Sequence, residues 1–406
     1  MFKRFHQLYP ADSMASDQKI YRASTTAPVN IAVIKYWGKR DPTLNLPTNS
    51  SLSVTLSQSD LRTHTTASCS STYRKETPED SLLLNGKLEP LTTPRSIACL
   101  RSLRALRSEL ESTNPSLPKL STYPLRLASS NNFPTAAGLA SSAAGFAALV
   151  RAIADLYELP QSPTELSLIA RQGSGSACRS LLGGYVAWDK GSRDDGTDSC
   201  ARLVAPKSHW PEMRALILVA SAEQKSVSST AGMQTTVKTS GLFRQRVEAV
   251  PQRMLEMEKA IREKDFEAFA EITRKESNSF HATCLDTDPP IFYMNETSKM
   301  AIRAVEAINK EAGRTVATYT FDAGPNCVIY YLEKDWDFLA AKLDLALDGK
   351  EGWSKERTSD AGGLGVGNER VEEGLKNGVS RVIMTSVGEG PISVQDHLID
   401  EHGKPV

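Results

Sequence analysis

The chain of 406 residues is longer than one ordinary domain and long enough for two packed domains. Its 48 Lys plus Arg and 48 Asp plus Glu residues give a formal net charge of zero, which excludes the global basic field that holds nucleic acid. Apolar residues make up 40% of the chain, yet no apolar run approaches the ~20 residues that span a bilayer. Any anion site must therefore be local.

Cysteine and histidine residues are scattered and do not predict a metal site. The six cysteines never form a CxxC pair, and a chain of this length does not need disulfides, so we predict reduced thiols in a reducing, cytoplasmic compartment. His281, Cys284 and Asp286 come nearest to a metal cluster but lack a second pair of ligands for structural zinc. Residues 1–20 have no signal-peptide core and are expected to form a disordered extension.

Strand-like and helical segments alternate along the first half of the chain, which indicates a mixed α/β (α+β) fold. Ser162 and Glu165 have the spacing of a capping box at the start of a helix. The predicted strands are 27–36, one beginning at 53–56, 63–73, one through 125–127 and 185–188, and the predicted helices are 97–110, 138–156 and 162–171.

A hydrophilic passage with Pro206 and Pro211 precedes a strongly apolar strand at 215–220, and we place a domain boundary near residue 210. This boundary gives an N-terminal domain over 21–210 and a C-terminal domain over 211–406. The second half is helix-rich, with predicted helices at 229–239, 242–263, 265–280 and 296–312, strands near 316–321, 326–332 and 380–386, and an exposed excursion around short helical turns over 348–379.

The segment 134–148 predicts a phosphate site. A loop that starts at a proline leads through Ser141 and Ser142 into an alanine-rich helix, whose first turn presents unsatisfied N–H groups and the positive end of its dipole. Small residues would let a phosphate approach the backbone, and the two hydroxyls could reach a magnesium ion held by the phosphates. The alternative is an alanine-rich core helix capped by serine.

The segment 171–184 predicts a second anion site. Two glycines alternate with Ser174 and Ser176, and Arg179 follows three residues later. Exposed N–H groups, hydroxyls and a guanidinium can together bind a carboxylate or a phosphate, since arginine matches such groups with two parallel hydrogen bonds. The alternative is a helix cap followed by a surface arginine.

Two strand ends add a carboxylate and positive charge. Asp322 ends a predicted strand before Ala-Gly-Pro-Asn, a turn that can direct the carboxylate into a cleft, although an aspartate before a turn is usually structural. Lys35, Tyr36 and Lys39 leave another strand and could bind a phosphate group, with solvated lysines as the alternative. The stretch 221–234 is interpreted as a hydroxyl-rich helix cap. It would belong to the site only if the other segments together form one.

Taken together, these segments resemble the GHMP kinase superfamily and, within it, the mevalonate diphosphate decarboxylases. Segments 30–41, 173–180, 280–287 and 319–326 are similar to four motifs of these decarboxylases, in order, and the similarity runs from about residue 25 to 390. Gln224 departs from the pattern, because relatives often carry a second lysine there. The superfamily loop Pro-x-x-x-Gly-Leu-x-Ser-Ser-Ala is matched by Pro134, Gly138, Leu139, Ser141, Ser142 and Ala143, with Ala140 where the kinases usually have glycine.

The resemblance implies a two-domain GHMP-kinase-like fold with the active site in a cleft between the domains. It implies that ATP, with Mg²⁺, phosphorylates the 3-hydroxyl of mevalonate 5-diphosphate, and that loss of phosphate and CO2 gives isopentenyl diphosphate. Asp322 would then be the base, Arg179 would hold the substrate carboxylate, and Asn30 would position both Arg179 and the substrate. The other matched residues would bind ATP (Pro134, Gly138, Leu139, Ala140, Ser141 and Ser142, the last also near magnesium) or the substrate diphosphate (Lys35, Tyr36, Lys39, Ser174 and Ser176).

Two other functions remain open from the sequence. A GHMP small-molecule kinase would phosphorylate a mevalonate-type hydroxyl without decarboxylation, whereas a carboxylate clamp such as Arg179 favours CO2 loss. A non-catalytic binding protein on the same fold is expected to lack Asp322 or an intact phosphate loop, and both are present. The resemblance also implies a homodimer, and the composition implies neither nucleic acid nor a membrane as a partner.

Overall fold

The computed structural model describes residues 19–76, 79–133, 141–220, 227–353 and 364–406. Within these ranges the strands form four sheets with helices packed against them, so the predicted mixed α/β fold is confirmed. The described helices include none that is both long and apolar enough to cross a bilayer.

The described strands form one six-stranded sheet in the order β16-β1-β6-β9-β7-β8, two four-stranded sheets in the orders β11-β10-β5-β2 and β13-β14-β12-β15, and the separate pair β3-β4. Their bounds are β1 (Tyr21–Pro28), β2 (Asn30–Ile34), β3 (Lys39–Asp41), β4 (Leu46–Pro47), β5 (Ser51–Thr55), β6 (Arg62–Cys69), β7 (Ser81–Leu84), β8 (Lys87–Glu89), β9 (Leu125–Asn131), β10 (Tyr185–Trp188), β11 (Ala201–Ala205), β12 (Met213–Val219), β13 (Ala317–Phe321), β14 (Cys327–Leu332), β15 (Arg381–Ser386) and β16 (Ile392–Val394).

Helices cover these sheets. The α-helices are α1 (Tyr73–Glu76), α2 (Pro94–Thr113), α3 (Ser141–Leu156), α4 (Pro163–Gly173), α5 (Ser229–Thr239), α6 (Gly241–Glu263), α7 (Phe266–Leu285), α8 (Glu296–Ala312), α9 (Trp336–Leu347) and α10 (Glu369–Gly378), and short 3-10 helices occupy Leu120–Thr122, Gly175–Leu181, Lys207–His209 and Glu333–Asp335. The predicted capping box forms at the start of α4, where the Ser162 hydroxyl accepts from the Glu165 N–H and the Glu165 carboxylate accepts from the Ser162 N–H.

The single strand predicted over 27–36 is wrong, because the chain changes sheets within it. β1 lies in the six-stranded sheet and β2 in a four-stranded sheet, with the fully buried Val29 between them. The Val29 carbonyl accepts a hydrogen bond from the Leu56 N–H at 2.9 Å, in register with β2 and β5, where Asn30 lies opposite Thr55. Because each sheet buries its own part of residues 27–36, the segment is apolar throughout and its sequence does not reveal the change of sheet.

The strands predicted near 316–321 and 326–332 are confirmed, and they form a hairpin around residues 322–326. β13 and β14 pair antiparallel with Phe321 opposite Cys327, and Asp322 is the first residue after β13. The turn therefore fixes the point at which the aspartate leaves the sheet.

The two four-stranded sheets share a hydrophobic core, which contains Val54 from β5, Ile217 from β12 and Phe269 from α7. The end of the chain also returns to the six-stranded sheet, because β16 pairs with β1 and Arg126 donates to the Gly403 carbonyl at 3.1 Å. Contacts of this kind hold the first and second halves of the chain against each other. The boundary near residue 210 stays a prediction.

Two further secondary-structure predictions differ from the structure. The strand predicted over 63–73 ends at Cys69, because Tyr73 already belongs to α1. The stretch 348–379, predicted as an exposed excursion around short helical turns, contains the 10-residue helix α10, which buries Val371 and Leu375 in the core beside β13. Two apolar positions four residues apart in a sequence rich in charge and glycine are a weak helical signal. The helix α9 was not predicted.

A buried ion pair within α2 gives a measure of what such pairs contribute to stability. Arg107 Nε donates to Glu111 Oε1 at 2.9 Å, and the Ser121 N–H donates to the same carboxylate at 3.0 Å. Glu111→Gln removes the charge that balances the buried guanidinium. We expect it to lower the free energy of unfolding, measured in urea, by about 3 kcal/mol.

The exposed pair of Lys275 with Glu271 on α7 provides the control, because both side chains are more than half exposed. Glu271→Gln is expected to change the free energy of unfolding by about 0.5 kcal/mol or less. Equal losses in the two variants would contradict burial as the source of the cost.

Candidate active site

The described residues predicted for the site converge on one cleft between elements of the two halves of the chain, with a volume of about 860 Å³ that includes space open to solvent. The predicted residues that line it are Asn30, Lys35, Tyr36, Lys39, Ser142, Ser174, Ser176, Arg179 and Asp322. Ser141 lines a neighbouring groove instead. Pro134, Gly138, Leu139 and Ala140 lie outside the described residues, as does Gln224.

The carboxylate of the cleft is paired with a lysine from the other half of the chain. Lys35 Nζ lies 2.6 Å from Asp322 Oδ1, with the lysine side chain 3% exposed and the aspartate side chain 26% exposed. Burial lowers the pKa of Lys35, and the Asp322 carboxylate acts in the opposite direction. Asp322 Oδ2 has no hydrogen-bond partner among the described residues, so it is the oxygen available to a ligand in the cleft.

Arg179 is held rigidly at the edge of the cleft. Its Nε donates to Ser53 Oγ at 3.0 Å and to Asn30 Oδ1 at 3.3 Å, and its Nη1 donates to Ser51 Oγ at 2.5 Å. Asn30 in turn donates to Ser180 Oγ at 2.7 Å. Within the described part of the chain Nη2 has no protein partner. The guanidinium is therefore oriented before any ligand binds, with one nitrogen left over for an anion.

Two serines bring the helix α3 and the loop after α4 together. Ser142, in the first turn of α3, lies 3.2 Å from the Ser174 hydroxyl, measured between the two Oγ atoms. Gly175 follows, and a Cβ there would lie 2.8 Å from the Tyr36 ring and 2.9 Å from Trp188. Only glycine fits this close approach. The hydroxyls and the first turn of α3 thus face the same space as Arg179 and Asp322.

Tyr36 and Lys39 prepare the cleft for an anion. The Tyr36 ring packs edge-on against Trp188 at 4.7 Å between centroids, and its hydroxyl is buried with no hydrogen-bond partner among the described residues. Burial raises the pKa of Tyr36, so the hydroxyl stays a proton donor. Burial, and then the charge of Arg95, lower the pKa of Lys39 to about 8. A negatively charged ligand would accept a hydrogen bond from the Tyr36 hydroxyl and would raise the pKa of Lys39 again.

Sequence reasoning missed Arg95 and Thr230, which also line the cleft. Arg95 Nη2 donates to Thr230 Oγ1 at 2.6 Å and joins the start of α2 to the start of α5. An arginine in the first turn of a half-buried helix gives no sequence signal of its own. In the stretch interpreted as a helix cap, Ser228 does cap α5 whereas Ser229 lines the cleft.

An apolar groove of about 760 Å³ adjoins the cleft and shares Ser142 with it. The empty volume extends to solvent. Its lining residues come from β7, β9, α2, α3 and the segment before α2: Leu82, Leu84, Leu91, Ser96, Ser129, Asn131, Ser141, Ser142, Gly145, Phe146 and Leu149. A Cβ added at Gly145 would meet no atom within 4 Å, because it would project into this open space. The groove suits a flat, weakly polar group beside the phosphate-binding end of α3.

Among the residues with described positions, no three His, Cys, Asp or Glu side chains are grouped closely enough to hold a metal ion. All six cysteines are free thiols, and His281 is buried with its pKa lowered to about 3 by burial and by Lys35. The oxygen atoms beside the first turn of α3 are hydroxyls rather than carboxylates. A hard cation in the cleft would depend on a phosphorylated ligand for most of its coordination.

Comparisons with known proteins match both halves of the chain to family models. The family described as mevalonate 5-diphosphate decarboxylase C-terminal domain matches residues 215–394, and the diphosphomevalonate decarboxylase-like N-terminal domain matches residues 27–201. The predicted boundary near residue 210 lies between these matches.

Individual relatives and solved structures are similar over nearly their whole length. The diphosphomevalonate decarboxylase of Gibberella zeae is 66% identical over 384 residues, which cover 94% of this chain and 100% of the relative. A crystal structure of mevalonate 5-diphosphate decarboxylase has a TM-score of 0.84 at 53% identity and covers 94% of this chain and 98% of its own. A structure described as MDDEF in complex with MVAPP, AMPPCP and magnesium has a TM-score of 0.70 at 30% identity, with 93% of this chain and 100% of that chain covered. The chain belongs to the diphosphomevalonate decarboxylase family.

Proposed function

We propose that this chain converts mevalonate 5-diphosphate and ATP into isopentenyl diphosphate, ADP, phosphate and CO2. The observation that carries the proposal is the placement of Asp322 and Arg179 on one cleft, the first paired with Lys35 and the second fixed by serine hydroxyls. A relative solved with MVAPP, AMPPCP and magnesium supports the same pair of substrates.

Asp322 Oδ2 accepts the hydrogen of the substrate 3-hydroxyl, and the hydroxyl oxygen attacks the γ-phosphorus of ATP. A bond from that oxygen to phosphorus forms, the bond to the ADP oxygen breaks, and phosphate then leaves C3 with the electron pair of the C–O bond. The electrons of the C1–C2 bond form the C2=C3 double bond as CO2 departs. The negative charge of Asp322 stabilises the positive charge that develops at C3.

Lys35 acts on Asp322 rather than on the substrate diphosphate. Its ammonium occupies Asp322 Oδ1 at 2.6 Å, which leaves Oδ2 as the oxygen directed to the substrate. A lysine that is 3% exposed and already paired has little capacity for a second anion. This assignment differs from the sequence expectation, which placed Lys35 on the diphosphate.

Arg179 holds the substrate carboxylate through Nη2, and Asn30 keeps the guanidinium in place. The 5-diphosphate is bound by Lys39, the Tyr36 hydroxyl, Ser174 and Ser176, with Arg95 added from the structure. Lys39 and Arg95 supply positive charge, and Tyr36, Ser174 and Ser176 supply hydroxyl donors. None of these five has a carboxylate partner among the described residues.

ATP binds with its phosphates at the first turn of α3 near Ser141 and Ser142 and with its base in the apolar groove. The loop residues Pro134, Gly138, Leu139 and Ala140 complete the phosphate site in this proposal. Magnesium would be held by the ATP phosphates and the Ser142 hydroxyl, and it would neutralise charge during phosphoryl transfer. Among the described residues, the absence of a group of three metal-binding side chains fits an ion with mainly phosphate ligands.

We further propose a cytoplasmic homodimer without nucleic acid or membrane as a partner. Six free cysteines, five of them buried, fit a reducing compartment. Light scattering during gel filtration tests the dimer.

The first prediction concerns the reaction itself. Purified protein with mevalonate 5-diphosphate and Mg-ATP is expected to release ADP and CO2 in equal amounts. Asp322→Asn is expected to lower kcat by about 10²–10⁴-fold, because the variant loses the proton acceptor and the negative charge near C3. ATP affinity, measured by fluorescence titration, is expected to stay within twofold of wild type.

Release of ADP without CO2 would indicate a kinase and would reject the proposed function. A parallel loss of ATP affinity in Asp322→Asn would reject the role given to Asp322, since the aspartate would then be needed for nucleotide binding.

The second prediction separates Arg179 from arginines that only stabilise the fold. Arg179→Gln is expected to raise KM for mevalonate 5-diphosphate at least tenfold and to leave KM for ATP almost unchanged, because one charged hydrogen bond to a carboxylate is worth about 1.5–3 kcal/mol. Steady-state kinetics with each substrate varied in turn give both constants.

Arg171→Gln is the matched control, because Arg171 is also buried but donates to the Gly196 and Ser199 carbonyls outside the cleft. It is expected to lower stability without changing either KM. Equal changes in substrate KM for the two variants would contradict the carboxylate-binding role of Arg179.

The third prediction places the nucleotide base. Gly145→Leu fills part of the apolar groove and is expected to raise KM for ATP by about tenfold or more while KM for mevalonate 5-diphosphate stays constant. Gly145→Ala is the control: it adds one methyl group and favours the helix by about 1 kcal/mol, so it should stabilise the protein with little effect on ATP. An unchanged KM for ATP in Gly145→Leu would exclude the groove as the base site.

A further inference from the structure

A buried cluster of charged residues lies behind Lys35, on the side away from the cleft. Glu276 of α7 is fully buried, and Arg246 of α6 has a side chain that is 1% exposed. Arg246 Nη2 donates to Glu276 Oε2 at 2.8 Å, and Arg253 Nη1 donates to Glu276 Oε1 at 2.6 Å. None of these three residues lines the cleft.

The cluster holds the backbone of Lys35 from both sides. The Lys35 N–H donates to Glu276 Oε2 at 3.0 Å, and the Lys35 carbonyl accepts from Arg246 Nη2 at 2.9 Å. Asn49 Nδ2 donates to the same carbonyl at 3.0 Å. Glu276, Arg246 and the peptide groups of Lys35 therefore form a closed ring of hydrogen bonds.

Burying the ion pair of Glu276 and Arg246 has an energetic cost, which suggests that the pair has a role beyond stability. Lys35 is the residue after β2, so its N–H and carbonyl need partners once the strand ends. A neutral side chain could satisfy both groups, whereas a buried ion pair carries a desolvation cost that often cancels its stabilising effect. Burial acts to raise the pKa of Glu276, but Arg246 and Arg253 outweigh it, so the net shift is downward and the carboxylate is ionised. The pair of Glu276 and Arg246 therefore holds the backbone of Lys35 in one position.

We propose that Glu276 and Arg246 are positioning residues that fix Lys35 so that its ammonium holds Asp322 in the orientation needed for the reaction. Lys35 comes from the first half of the chain, and Glu276, Arg246 and Asp322 come from the second half. The backbone of Lys35 is bound to α6 and α7 while its side chain is bound to the end of β13. A shift of about 1 Å in such a group can lower a rate about 100-fold.

The test begins with a measurement that does not depend on the reaction. Reductive methylation with formaldehyde and dimethylamine–borane, followed by peptide mass spectrometry, reports how often the Lys35 ammonium becomes accessible in the folded protein. We expect Lys35 to react slowly in wild type and about tenfold faster in Glu276→Gln, because local opening around Lys35 is made easier. Glu111→Gln, which removes one charge of a buried ion pair remote from the cleft, is expected to leave Lys35 as protected as in wild type.

The second arm uses the proposed decarboxylation and rests on it. Glu276→Gln is expected to lower kcat about 100-fold with KM for ATP unchanged. The same change made in a Lys35→Met background is expected to have almost no further effect, since the residue through which Glu276 acts is gone. Glu111→Gln is expected to lower stability but not kcat.

Arg246→Lys guards against loss of folding in Glu276→Gln. It keeps a positive charge beside Glu276 but loses the planar pair of nitrogens that reach both Glu276 oxygens while Nη2 also donates to the Lys35 carbonyl. Like Glu276→Gln, Arg246→Lys is expected to raise the methylation rate of Lys35 and to lower kcat.

Unchanged methylation of Lys35 in both variants would overturn the proposal, and so would equal losses of kcat from Glu276→Gln with and without Lys35. A wild-type protein that releases no CO2 would reject the proposed function alone, because the methylation rates would still decide whether Glu276 and Arg246 position Lys35.

Discussion

The ion pair between Lys35 and Asp322 is the contact on which the site depends. Lys35 follows β2 and Asp322 follows β13, so two different sheets each contribute one charge to the cleft. The pair can form only if the core shared by these sheets sets their distance and angle correctly. Hydrophobic packing supplies the energy for this arrangement, whereas the ion pair selects one relative position of the sheets.

A neutral protein can bind two strongly anionic substrates because its charges are placed unevenly. Among the described residues that line the cleft, Lys35, Lys39, Arg95 and Arg179 are cationic and Asp322 alone is acidic. The balance of 48 basic and 48 acidic residues therefore conceals a local excess of positive charge. Hydroxyls and the first turn of α3 add donors that carry no formal charge, and magnesium brought by ATP would supply the rest.

The sequence identified residues of the cleft where the residue type and its neighbours limit the chemistry, and it missed residues that only tertiary contacts bring there. Asp322 before a turn, Arg179 after a glycine–serine run and Ser142 at a helix start were all found in this way, and they share one cleft. Arg95 was missed because nothing near it in the sequence marks it. The sheet change at Val29 was missed because strands buried on both sides give one continuous apolar run.

Under the carboxylate-binding role proposed for Arg179, its fixed position accounts for a cleft that suits decarboxylation better than phosphorylation alone. Phosphoryl transfer needs the hydroxyl to be aligned with the γ-phosphate and the negative charge of the phosphates to be neutralised. A carboxylate two carbons away from the hydroxyl carbon has no part in that step. Ser51, Ser53 and Asn30 nevertheless hold the guanidinium from two neighbouring strands, β5 and β2, before any substrate is bound. Orientation established in the free protein costs nothing at the moment of reaction, so a carboxylate bound there is already directed for loss of CO2 when phosphate leaves C3.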